Sequence, residues 1–276
     1  MIHLLPNCSP AELLFLLHRP EATARRPRIP QRRKLLRVTF LDLLRQQVLQ
    51  LKPLLTRPHP RDPASQHLYV MAGIMLPTYV PLPHERIFVQ ALQRDTTLCI
   101  PFRQFVKMVI ELLPSPAAYH RQILQNPNTG RFFHHEAWWR RIFSCWTLTS
   151  EGKIMRDELQ NQINRIDLQL YEAAKNDISQ AQHLMREIGG FLFVLPTYAS
   201  EIGREIDREI QATQLPPDTF ANFGGADLSW HDCADSFDSH CGHADADGGH
   251  GCDGDSGCSG CGGDGGCSGC GGCGGD

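Results

Sequence analysis

The sequence predicts a mostly α-helical fold with a few short strands, followed by a disordered C-terminal tail. Three observations carry that expectation. Through residues 1–223 apolar side chains recur at three- and four-residue spacing, as in Phe102, Phe105, Val106, Val109, Ile110 and Leu113. Ser and Pro pairs punctuate those stripes, with Ser9-Pro10 and Ser115-Pro116 as helix starts. From Gly224 to Asp276 the chain holds 18 Gly, 8 Cys and 10 Asp, with Leu228, Trp230 and Phe237 the largest apolar residues, so burial there cannot offset the entropy of ordering.

Taken in order, Leu13, Leu14, Leu16 and Leu17 form the buried face of a first helix, 10–18, that ends before Pro20. The Pro/Arg-rich stretch 19–34 reads as a loop, and Thr39 as the cap of a helix over 40–49. Pro53, Pro58, Pro60 and Pro63 exclude regular structure from 53 to 63, while 67–75 reads as a strand broken at Gly73. Further helices are expected at 83–94, 102–113, 116–125, 150–174, 177–188 and 198–213. A turn is expected at Pro127–Gly130, and a strand over Trp138–Trp146.

The segment Trp146-Thr-Leu-Thr-Ser-Glu-Gly152, followed by Ile154, Met155, Leu159, Ile163 and Ile166, resembles the handover from the second wing strand of a winged-helix domain to its last helix. That resemblance implies preceding helices at 102–113 and 116–125 and a wing at 131–148. A looser copy upstream, with helices 10–18 and 40–49, strands near 50–55 and 67–72, and helix 83–94, implies a tandem pair. The expected organisation is therefore a helical region at 1–95 containing a basic loop, a second at 96–223, and the tail at 224–276.

Charge divides at the same place. All 27 Lys and Arg lie at or before Arg208, whereas the tail carries ten acids and no base, so a near-neutral chain has a positive body and a negative tail. Twelve of the bases fall between Arg19 and Arg61 against Glu21 and Asp42 alone. Arg25, Arg26, Arg28, Arg32, Arg33, Lys34 and Arg37 are the candidate contacts to nucleic acid phosphates, with Phe40 the only aromatic for base stacking. The competing reading pairs this segment with the protein's own tail.

In the tail, Cys258/Cys261, Cys267/Cys270 and Cys270/Cys273 are Cys-x-x-Cys steps, the spacing at which two thiolates meet one zinc or another thiophilic ion. Cys233, Cys241 and Cys252, with His231, His240, His243 and His250, are further candidate ligands. Glycine flanks most of these thiols, which predicts several exchanging sites rather than one closed finger, and no metal is required for folding. The repeat Ser256-Gly-Cys-Ser-Gly-Cys-Gly-Gly263 resembles bacterial proteins whose helical or membrane-associated body ends in Gly/Cys repeats, a group that implies no particular activity. Gly257-Cys258, Gly260-Cys261, Gly266-Cys267 and Gly269-Cys270 are also similar to the core of thiazole/oxazole-modified microcins, which implies a substrate of azole-forming enzymes.

Enzyme motifs are lacking. The Gly-x-Gly-x-x-Gly matches, such as Gly260 to Gly265, fall in the tail, and His134-His135-Glu136 reads as a polar loop edge. Cys8, Cys99 and Cys145 read as ordinary buried thiols. The first twenty residues lack the basic flank and small-residue site of a signal peptide, and no apolar run is long enough for a bilayer span. The sequence thus points to a cytoplasmic, non-enzymatic helical interaction domain with an unidentified protein partner and a metal-binding tail; the alternative is a winged-helix nucleic-acid binder with an acidic autoinhibitory tail.

Overall fold

The computed structural model describes residues 8–18, 32–56, 65–113, 115–135, 146–201, 203–204 and 229–246. The mostly helical expectation holds, with five short antiparallel strands among these residues. Helix α1 spans Pro10–His18 and α2 spans Arg32–Arg45. Strands β1 (Leu49–Thr56) and β2 (Ser65–Ala72) pair antiparallel from Leu49 opposite Ala72 to Thr56 opposite Ser65. Helix α3 is Arg86–Arg94, β3 is Ile100–Pro101, α4 is Phe102–Glu111, α5 is Pro116–Leu124, and α6 is a single turn at Pro127–Gly130.

Two local expectations are corrected. The second helix begins eight residues before Phe40, because Arg32, Arg33 and Lys34 are good helix formers and Leu35, Leu36 and Val38 already lie on its buried face. Thr39 does not cap it; its hydroxyl donates to the Leu35 carbonyl, 3.0 Å away, and meets the buried Tyr119 hydroxyl at 2.7 Å. Pro53 does not end regular structure either. It sits opposite Leu68 in β1, the outer strand of the sheet, where a missing amide is tolerated.

In the second half, β4 (Phe133–His135) pairs with β5 (Trp146–Leu148), and α7 (Ser150–Asn176) follows at once. Thr149 caps α7 by accepting from the Gly152 amide at 2.9 Å. Gly152 is required for contact: a Cβ there would run into the Phe132 carbonyl. Helix α8 (Ile178–Ile188) folds back along α7, capped by Asp177, and leads through a 3-10 segment, Gly189–Val194, into the short helix α9, Pro196–Ala199. Most of the strand expected at 138–146, and the end of the helix expected at 198–213, lie outside the described residues.

Each half thus runs helix, helix, hairpin, with the single turn α6 interposed in the second. The third strand departs from a simple tandem. β3 precedes α4 yet pairs with β2, through Tyr69 opposite Pro101 and Val70 opposite Ile100, so the second half completes the sheet of the first. The buried core is correspondingly continuous from Leu13 to Cys241 across the expected boundary at 95/96.

Its last contribution comes from α10, Trp230–Ala246. The absence of structure expected from Gly224 onward does not extend to this helix. Composition over the whole tail diluted a local pattern in which Trp230, Cys233, Phe237 and Cys241 recur at three and four residues and share one buried face. Ser229 and Asp232 begin it reciprocally: the Asp232 amide donates to the Ser229 hydroxyl at 2.9 Å, and the Ser229 amide to the Asp232 carboxylate at 3.1 Å. Residues 247–276, with His250 and the remaining cysteines, lie outside the described residues.

Candidate functional site

The root of the Cys-rich segment is a docking site built by α2, α4 and α10. Helix α2 supplies Phe40 and α4 supplies Phe102, both buried. Their rings lie 5.5 Å apart, and Phe237 completes a triangle with them, its ring centroid 5.1 Å from Phe40 and 6.4 Å from Phe102. Trp230 packs on Phe193 at 5.4 Å, and His231 lies over Tyr198 at 4.6 Å with its Nε2 at 2.9 Å from the Tyr198 carbonyl. Arg37 closes the edge by donating to Asp238, and Arg204 reaches Asp235 at 3.9 Å.

These contacts redistribute the sequence-predicted ligands. Cys233 and Cys241 are core residues at 0% and 1% exposure, filling space rather than offering sulfur to solvent. His240 is held by the Ser236 carbonyl, 2.6 Å from its Nδ1, and stands edge-on to Phe102. His243 is on the helix's last turn. Among the described residues no three His, Cys, Asp or Glu side chains converge on a point where an ion would sit. Cys252, Cys258, Cys261, Cys267, Cys270 and Cys273 belong to 247–276.

Of the basic candidates, Arg32, Arg33, Lys34 and Arg37 occupy the first two turns of α2, and Arg25, Arg26 and Arg28 lie outside the described residues. Burial and the neighbouring Arg37 charge hold the Lys34 ammonium below its ordinary range. The pairing of Arg37 with Asp238 is one realised contact between the basic segment and the acidic tail. Burial of the scattered cysteines is corrected in one case: Cys99 is exposed, on the loop before β3, while Cys8 is half-buried and Cys145 lies outside the described residues.

Sequence reasoning missed a buried polar network beneath α1. Ser9 and Glu12 cap each other, the Ser9 amide donating to Glu12 at 2.8 Å and the Glu12 amide to the Ser9 hydroxyl at 3.2 Å. Asn126 donates to the other Glu12 oxygen at 2.7 Å, and His84 Nε2 stands 3.1 Å from the Ser9 hydroxyl. Next to His84, Glu85 accepts from the Tyr79 hydroxyl and the Leu82 amide, both at 2.8 Å. The readable signal was Ser9-x-x-Glu12; its distant partners were not readable.

Burial raises the Glu12, Asp42 and Glu85 carboxyls, Glu85 to about 7, and lowers His84 to about 3. The Cys8 thiol is pushed up by burial and by Glu12. Ser9 and His84 do not form a nucleophilic pair. Glu12 binds the Ser9 amide instead of orienting the imidazole, His84 Nδ1 has no partner, and both side chains are buried.

A separate cleft of about 410 Å³ opens between α7 and α8, lined by Glu172, Asn176, Gln180, His183, Leu184 and Glu187. No helix among the described residues is long and apolar enough to cross a membrane. Comparison with family models, with curated proteins and with solved structures finds no match to this chain.

Proposed function

We propose that this is a non-enzymatic cytoplasmic protein whose helical body anchors and presents a thiolate-rich segment to soft or borderline metal ions, and whose body meets a protein partner. The observation that carries the reading is the docking of α10 by Trp230, Cys233, Phe237 and Cys241. It supports anchoring of the segment's root on the body, and the proposed ligand set is Cys252, Cys258, Cys261, Cys267, Cys270 and Cys273, with three Cys-x-x-Cys steps. Cys233 and Cys241 are removed from that set. Zinc titration of the reduced full chain, read by metal content and intact mass, tests this. Binding that disappears when the six distal cysteines are replaced by serine supports the reading; failure to bind Zn²⁺ or Cu⁺ at micromolar concentration removes it.

A second reading is favoured by one observation, the alignment of Arg32, Arg33, Lys34 and Arg37 along the start of α2 with an acidic helix paired to it. In that reading α10 competes with nucleic acid for the basic face. Removing 229–276 would then tighten DNA or RNA binding with a steep salt dependence, and no binding at any salt would sink it.

A further inference from the structure

We propose that the loop 73–82, between β2 and α3, docks the protein on an anionic membrane surface, with Ile74, Met75 and Val80 entering the lipid interface and exposed bases of β1 and α3 meeting the headgroups. Ile74 is 72% exposed, Met75 48% and Val80 86%, three large apolar side chains on one short loop. Single apolar residues scattered over a surface are ordinary, but a cluster of them marks a contact. Slack in the chain does not account for the exposure. The Gly73 amide donates to the Val48 carbonyl at 2.9 Å and the Met75 amide to the Gln47 carbonyl at 3.1 Å. Gly73 is packed so closely that a Cβ there would lie 2.0 Å from the Gln47 oxygen. At the other end Glu85 holds the Tyr79 hydroxyl and the Leu82 amide, and Gln93 donates to the Tyr79 carbonyl at 3.4 Å. Between them Leu76 is buried as the anchor. A backbone fixed in this way cannot turn Ile74 or Val80 inward, so their apolar surface stays in water until something outside the chain covers it.

Charge and shape select lipid as that cover. Among the described residues from 46 to 94, Lys52, Arg86 and Arg94 are exposed, and the one acid, Glu85, is buried. This stretch therefore attracts anionic headgroups and carries no exposed carboxylate to repel them. Side chains standing so clear of the protein need either a pocket shaped to each or a medium that yields to them. A bilayer interface is such a medium, and binding there scales with the apolar area inserted plus the attraction to anionic lipid. Protein interfaces bury about 800 Å² on each side around Trp, Tyr and Arg anchors. This loop offers only three large exposed apolar side chains, and its one aromatic, Tyr79, is half-buried with its hydroxyl committed to Glu85. The inference is independent of metal binding by the distal cysteines.

The test mixes the reduced full chain with phosphatidylcholine vesicles, with and without phosphatidylserine, and measures the bound fraction by flotation. The expected result is binding to the phosphatidylserine vesicles that weakens as salt is raised. Ile74→Ser/Val80→Ser, which keeps every Lys and Arg, should partition at least about tenfold less. Val80→Trp, on vesicles with brominated acyl chains, should be quenched beyond the unaltered protein. No binding by the unaltered chain overturns the proposal and leaves a protein partner to cover the loop. Binding indifferent to phosphatidylserine also overturns it. So does equal binding by the double variant, which would assign attachment to the basic stretch from Arg19 to Arg61 alone. Quenching of Val80→Trp no greater than that of the unaltered protein has the same force, since the loop would then stay outside the lipid. Should the double variant fail to fold, the Val80→Trp quenching decides the matter.

Discussion

The rings of Phe40 and Phe237 stack at an interplanar angle of 23° across nearly the full described length of the chain. Phe237 is fully buried although its own helix is rich in Asp, Ser and His. An isolated helix of 17 residues is marginal in water, so the stack and its neighbours, rather than helix propensity, hold α10 in place.

Phe237→Ala removes that anchor. Truncating a buried phenylalanine costs about 3–5 kcal/mol, more than a helix anchored by four side chains can spare. The expected outcome is local: far-ultraviolet circular dichroism loses the α10 contribution, and 230–246 exchanges freely, while α1 to α9 unfold in one later transition. A single transition shifted as a whole would show α10 to be inseparable from the body.

Asp238→Asn probes the edge of the same interface and should do much less. The Arg37 and Asp238 side chains are 25% and 29% exposed, so solvent screens the pair and its loss costs about 0.2–1 kcal/mol. Measured by α10 hydrogen exchange, the effect shrinks as salt is raised. A defect as large as that of Phe237→Ala would reverse the order of aromatic and ionic contributions.

What was legible in the sequence was what neighbours along the chain decide. The stripe from Phe102 to Val109, the cap at Ser115 and the handover at Thr149-Ser150 all appear where their spacing places them. Pro53 misled because its cost depends on whether its strand is outermost, a property of the sheet and not of the segment. α10 was hidden by averaging, since the glycines that dominate the tail's composition lie mostly beyond Ala246, whereas Trp230, Cys233, Phe237 and Cys241 share a face whose partners lie far earlier in the chain, at Phe40 on α2 and Phe102 on α4, and at Phe193. For the same reason four of the proposed ligands, Cys233, Cys241, His231 and His240, became packing residues.

Gly152→Ala sets two effects against each other at the start of α7. Alanine gains about 1 kcal/mol of helix propensity, but its Cβ would strike the Phe132 carbonyl and lie 3.2 Å from Leu148 Cδ2, an overpacking that costs about 1–3 kcal/mol. Sterics win because the obstacle is backbone. Thermal unfolding should therefore show a net loss for Gly152→Ala, beside a loss of about 1 kcal/mol for the missing cap in Thr149→Ala. A stabilised Gly152→Ala would mean that the hairpin gives way.

His84 and Glu85 are adjacent yet carry opposite pH dependences. Burial raises the Glu85 carboxyl from 4.5 to about 7, so the folded state binds its proton more tightly than the unfolded state. That contribution is complete below pH 4.5 and is lost as pH rises through 7, about 1.4 kcal/mol per pH unit and about 3 kcal/mol in all. His84 is lowered from 6.5 to about 3, so its contribution is complete above pH 6.5 and is lost as pH falls toward 3. Between pH 4.5 and 6.5 the two slopes oppose each other, and the pair leaves stability nearly level. Glu85→Gln keeps an acceptor for Tyr79 and Leu82 but cannot titrate, so its denaturation curve should gain on the unaltered protein as pH rises through that window. His84→Gln should show the opposite divergence. Parallel stability profiles for Glu85→Gln and the unaltered protein from pH 4.5 to 7 would show that Glu85 has enough water in the folded state to ionise normally, and that its burial beneath α1 is not what the network imposes.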